Sequence, residues 1–128
     1  MKYLLLALPT LLLSSCLNAS DNVCESTVVA PVLSATGPKT GAVNQPATFT
    51  LAYQIQSPCG KFSGVDEANV PTSNTRVLSV KVSYSGCNCP QAAVPSQATY
   101  TFQPAQAGTY YLQFASTNGF FTDTLVVK

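Results

Sequence analysis

One stretch near the middle of the chain leaves little freedom in how it folds. Ala47, Phe49, Leu51, Tyr53 and Ile55 alternate with Thr48, Thr50, Ala52 and Gln54. That period of two puts every second side chain on one face of a half-buried strand and fits no helical stripe. The pattern returns over Thr75 to Tyr84, where Leu78, Val80, Val82 and Tyr84 face one way and Ser79, Lys81 and Ser83 the other. Ala98, Tyr100 and Phe102 form a third alternating set. Gly108 to Ala115 and Phe121 to Val127 flank Ser116-Thr117-Asn118-Gly119, whose Asn-Gly dipeptide in a short connection is a hairpin cue.

The remaining segments complete an all-β reading. Thr27 to Ala35 is rich in Val and Leu but holds Pro31, which suits an edge strand, and it runs into the turn cluster Gly37-Pro38-Lys39-Thr40-Gly41. Between Gln56 and Thr75 the alternation weakens. Long structureless loops are uncommon inside a small domain, so a short strand is predicted near Lys61 to Val65. No segment carries a helical period. About seven strands separated by turn signals have the spacing of an antiparallel β-sandwich.

The start of the chain reads as an address. Met1 and Lys2 precede an apolar stretch from Tyr3 to Leu13, too short to span a bilayer but sized for the h-region of a secretory signal. It ends in Leu13-Ser14-Ser15-Cys16, an aliphatic residue, two small residues and a cysteine, which resembles the bacterial lipobox. That resemblance implies a signal peptide over residues 1–15, cleavage before Cys16, and acyl chains such as palmitate on Cys16. Several acyl chains, at about 0.8 kcal/mol per buried CH₂, hold a protein on a membrane far more firmly than one. Ordinary cleavage after Ala19 would place Leu17 where a small residue is wanted. By the sorting pattern of such lipoproteins, Leu17 after the lipidated cysteine implies the outer membrane of a gram-negative cell. Residues 16–26 then form a tether of at most about 35 Å, and residues 27–128 one domain.

Removing 15 of 128 residues leaves 113, a length that suits one domain with a real core. Lys39, Lys61, Arg76, Lys81 and Lys128 balance Asp21, Glu25, Asp66, Glu67 and Asp123, so nothing funnels nucleic acid toward the protein. Histidine is absent, which removes the commonest general base, the Ser-His and Cys-His nucleophile pairs and histidine metal sites. No catalytic residue, metal site or cofactor is therefore expected.

With Cys16 given to lipid, Cys24, Cys59, Cys87 and Cys89 remain, an even number in an exported chain. Two disulfides are expected, with three connectivities open. Cys87-Asn88-Cys89 has a second reading as a redox dithiol or soft-metal site, but no histidine or predicted helix is at hand to lower a thiol pKa. Asp66-Glu67 reads as solvated acids in a loop, without the ligand spacing of a calcium site. Tyr100, Tyr110, Tyr111 and Phe114 sit at strand spacing and are expected mainly in the core. Phe120 and Phe121, beside the hairpin tip, are the candidate exposed contact patch.

Gln106-Ala107-Gly108-Thr109-Tyr110-Tyr111-Leu112 is similar to the start of strand F in immunoglobulin-like and fibronectin III-like domains, where a small residue, a tyrosine and an inward core residue recur at this spacing. The resemblance implies an Ig-like β-sandwich and a structural corner at Tyr110, whose hydroxyl would bond back to the backbone. Leu112 stands where antibody-type domains have a cysteine, and tryptophan is absent, so the likeness is to the broad class. Cys59-Gly60-Lys61-Phe62 and Gly86-Cys87-Asn88-Cys89 add a likeness to small envelope lipoproteins of gram-negative bacteria, which brings no activity with it.

Counting strand directions gathers all four cysteines at the membrane-side pole, together with the Asn118-Gly119 hairpin. Lys39, Asn69 to Asn74 and the Pro104 to Ala107 corner fall at the opposite pole. Cys87 and Cys89 are too close in sequence to bond each other without strain, so each is expected to reach Cys24 or Cys59. The function expected is that of a non-catalytic, lipid-anchored binding or accessory module, its partner an envelope protein or glycan meeting the far pole. An envelope thiol-redox or metal-handling role for Cys87 and Cys89 is the alternative.

Overall fold

A computed structural model describes residues 24–128. Its strands are β1 (Glu25–Ala30), β2 (Val32–Thr36), β3 (Thr40–Gly41), β4 (Ala47–Ile55), β5 (Gly60–Asn69), β6 (Thr75–Ser85), β7 (Val94–Phe102), β8 (Gly108–Ser116) and β9 (Gly119–Val127). Residues 1–23, and with them Cys16 and its lipobox, lie outside the described residues. The fold is an all-β sandwich of two sheets, with nine strands where about seven were expected.

Both extra strands have local causes. The single strand expected over Thr27 to Ala35 is cut by Pro31, which has no N–H to give to a ladder. The chain changes sheets there, since β1 pairs with β6 and β2 with β4. The turn cluster after β2 is partly strand as well: Thr40 and Gly41 of β3 lie beside Val126 and Val127 of β9. Gly37 in that cluster is set by packing, because a Cβ there would sit 2.2 Å from the Phe49 ring.

The first sheet is built around β6. Strand β5 pairs along nearly the whole of β6, from Gly60 opposite Tyr84 to Asn69 opposite Arg76. The other edge of β6 is shared: β1 takes Val80–Ser85 and β8 takes Thr75–Leu78, after which β9 and β3 follow. The second sheet is β2-β4-β7. Most ladders are antiparallel as expected, but β6 with β8 and β3 with β9 run parallel. A parallel pair needs a long crossover, and β7 in the opposite sheet supplies the one between β6 and β8.

Alternation fills the space between the sheets. Phe49 and Leu51 of β4 meet Leu78 and Val82 of β6, Leu112 and Phe114 of β8 and Leu125 of β9, all wholly buried. At about 2 kcal/mol for each large apolar side chain removed from water, this row is the main source of stability.

The strand ends define two poles. Glu25 lies opposite Ser85 and Gly60 opposite Tyr84, so Cys24, Cys59, Cys87 and Cys89 adjoin one pole. The ends of β5 and β7 and the starts of β6 and β8 form the other. The β8–β9 hairpin points toward the cysteine pole but stops short of it. Leu78 pairs with Phe114, so Ser116 comes level with Val80, the partner of Ala30. From there β1 occupies the rest of that edge, and the remaining five residues to Ser85 amount to about 16 Å. The turn residues are Thr117 and Asn118, with the positive φ (125°) at Gly119.

Candidate functional site

The two poles are built from different chemistry. At one, disulfides join Cys24 to Cys87 and Cys59 to Cys89, with Cα–Cα distances of 5.0 and 5.9 Å. Between Cys87 and the end of β6, Gly86 turns the chain at a φ of 114° while its N–H donates to the Cys24 carbonyl at 2.9 Å. Cys87 is not bonded to Cys89, the bond that a Cys-x-Cys dithiol would make on oxidation.

At the other pole the sheets part around a cleft of about 330 Å³, lined by residues that include Glu67, Asn69, Asn74, Arg76, Gln103, Gln106 and Tyr110. Arg76 occupies the inward position on β6 that would continue the Leu78, Val80, Val82 row beyond the end of the core. Its guanidinium carbon lies 5.9 Å from the Phe102 ring centroid and 5.8 Å from that of Tyr110. Those two rings pack edge to face, 5.0 Å apart. The contact combines cation–π attraction with burial of the arginine stem.

The polar groups around Arg76 are joined in a chain. Arg76 Nε faces Glu67 Oε1 at 3.3 Å, and Nη1 donates to the Thr75 carbonyl at 3.3 Å. The Tyr100 hydroxyl donates to Glu67 Oε2 at 2.5 Å. Burial, reinforced by that bond and by the Glu67 charge, holds the Tyr100 hydroxyl well above its ordinary pKa, so it stays a proton donor. Beside the cleft, the Tyr110 hydroxyl donates to the Gln106 carbonyl at 2.8 Å, the corner geometry that the immunoglobulin-like resemblance carried to this residue.

The sequence alone does not show this site, because Asp66-Glu67 has the pattern of a solvated pair in a loop. Strand β5 is longer than the short strand expected and includes both acids, so the period of two sends them to opposite faces. Glu67 turns toward the cleft, while Asp66 pairs with Lys81 at 2.8 Å on the outer face. The signal that could have found it was Arg76, a charge at an inward position of an alternating strand.

The aromatic residues divide. Tyr100, Tyr110 and Phe114 are buried; Tyr111, Phe120 and Phe121 are exposed. Phe120 lies opposite Ala115 and Phe121 opposite Phe114, so the two rings leave opposite faces of the sheet and do not form one patch. A further polar feature lies level with Arg76: Asp123, opposite Leu112, is 5% exposed, pairs with Lys39 through Oδ1, and leaves Oδ2 with no partner among the described residues.

Fold and site together define a small two-sheet β-sandwich with one pole crosslinked by two disulfides, beside a cavity of about 360 Å³ lined by residues that include Ser57, Tyr84 and Cys89, and a polar cleft at the other pole. The sequence model of the ORF11 beta-sandwich domain matches residues 49–127, and the chain belongs to that family. Comparison with curated proteins and with solved structures gave no match. The matched region contains every cleft residue, along with Cys59, Cys87 and Cys89, while Cys24 precedes it.

Proposed function

We propose that the chain is a lipid-anchored module of the gram-negative cell envelope that binds rather than catalyses, and that its ligand enters the Arg76 cleft. The observation that carries this reading is the separation of the two ends. The N-terminal segment enters β1 through Cys24, beside both disulfides, and the cleft opens at the opposite pole. Lipid on Cys16 would hold the first end near the outer membrane and leave the second free to meet an envelope protein or glycan. The bonding of all four cysteines speaks for the module over thiol chemistry at Cys87 and Cys89.

Site-specific photo-crosslinking in intact cells tests the binding end. A photoreactive residue at Gln103 should give a discrete adduct and one at Gln91, beside the disulfides, should not. Adducts from position 91 alone would overturn the assignment. The anchor is tested by Cys16→Ala, which should leave an unlipidated, uncleaved precursor. Detection of a lipidated mature form by mass spectrometry would refute it.

A further inference from the structure

Building on that binding reading, we infer that the cleft recognises the free C-terminal carboxylate of an extended peptide. Glu67 and the Thr75 carbonyl engage Nε and one Nη1 hydrogen of Arg76. The other Nη1 hydrogen and Nη2 have no partner among the described residues, although the side chain is only 20% exposed and lines the cleft. A guanidinium flanked by two rings and paired with Glu67, with Nη2 and one Nη1 hydrogen uncommitted, can offer two N–H groups to the oxygens of a carboxylate. Both Glu67 oxygens are already engaged, by Arg76 and by Tyr100, which draws their charge away from an incoming anion.

The rest of the cleft favours a peptide over an acidic sugar. The aromatic rings beside Arg76, Phe102 and Tyr110, are 6% and 4% exposed, so they offer no open face for a sugar to stack on. The cleft lies between two strand edges that pair with nothing among the described residues: β5 is bonded only to β6, and β7 only to β4. Glu67 and Asn69 of β5 face Thr101 and Phe102 of β7 across it. An extended chain entering there would find unpaired main-chain groups along its path, the basis of strand addition, and a carboxylate anchor at its end. The side-chain carboxamides of Asn69, Asn74 and Gln106 carry no hydrogen bond among the described residues and would meet the last peptide groups. A volume of about 330 Å³ is at the low end for ligand sites and suits a chain terminus rather than a whole polymer.

The experiment is an NMR titration of the detergent-solubilised full protein, following the Asn69, Asn74 and Gln106 side-chain amides. The probes are N-acetyl-alanyl-alanine, its C-terminal amide, and glucuronate. The free acid should shift these signals and bind at least about tenfold more tightly than the amide, as expected for loss of a charged hydrogen-bond pair. Arg76→Lys, which keeps the charge but not the planar fork, should lose most of that preference. Equal binding of acid and amide would overturn carboxylate recognition while leaving the cleft as a binding site. Preference for glucuronate would overturn the peptide assignment. Silence with all three probes, together with no adduct from position 103 in cells, would remove the binding reading itself.

Discussion

Where Cys24, Cys59, Cys87 and Cys89 meet, two covalent bonds tie the ends of β1, β5 and β6 together, and the chain between them is short and turned by Gly86. At the opposite end β5 and β6 carry Glu67 and Arg76 and meet Tyr100 of β7 from the other sheet, joined only by an ion pair and hydrogen bonds, and the sheets stand apart. Strand β6 therefore has one end locked and one end presented. A small sandwich has few ways to leave a polar cleft between its sheets without losing the core. Placing the crosslinks at the far end lets the cleft exist at little cost to global stability.

The largest effect should come from unlocking the first pole. Replacing Cys24 and Cys87 together by serine removes a crosslink across 63 residues, and replacing Cys59 and Cys89 removes one across 30. Each double change should cost about 4 kcal/mol, slightly more for the longer loop. Thermal unfolding in non-reducing buffer checks this, and an unchanged Tm for either pair would break the contrast between the poles. Next comes the half of the sandwich near the cleft. Lys39→Met would leave the Asp123 carboxylate buried with neither oxygen paired, at a cost of about 2 kcal/mol given the exposure of Lys39. Adding Asp123→Leu should recover most of it in urea denaturation.

Smaller effects belong to the cleft. Tyr110→Phe loses the bond to the Gln106 carbonyl and should cost about 1 kcal/mol. Tyr100 adds a pH signature. Burial and the bond to Glu67 raise its folded pKa above the ordinary tyrosine value of 10.0, so the native state holds this proton more tightly than the unfolded chain. Its contribution is fully present below pH 10.0 and is lost as pH rises beyond it through the folded pKa. Stability measured from neutral to strongly alkaline pH should fall above that point, and Tyr100→Phe should reduce the fall. An identical alkaline profile in the variant would show that the Tyr100–Glu67 bond does not couple the two sheets.

Much of the sandwich could be read in the sequence because alternation reports burial directly: β4 keeps Ala47, Phe49, Leu51, Tyr53 and Ile55 inside, as its pattern required. The pole assignment followed from counting strand directions, and it depended on a strand between Gln56 and Thr75. Strand β5 is that strand. Its pattern was weak because it lies at a sheet edge, with a bulge between Phe62 and Gly64 and few buried positions. Parallel pairing of β6 with β8 and of β3 with β9 left no mark, since it is decided by which strands lie side by side and not by any local period. The hairpin was recognisable from Asn118-Gly119, but its height was not, because that depends on β1 filling the rest of the shared β6 edge. The cleft was hidden for a related reason. Glu67, Arg76 and Tyr100 are ordinary strand residues until the two sheets bring them together.

The most direct measurement of the contrast between the poles uses the lipidated protein in lipid nanodiscs containing a nitroxide-labelled phospholipid, with backbone NMR signals compared at each end. The account predicts strong broadening at Gly86 and Gln91 and sharp signals at Asn74 and Gln106. Broadening centred on Asn74 and Gln106, or none at either pole, would contradict it.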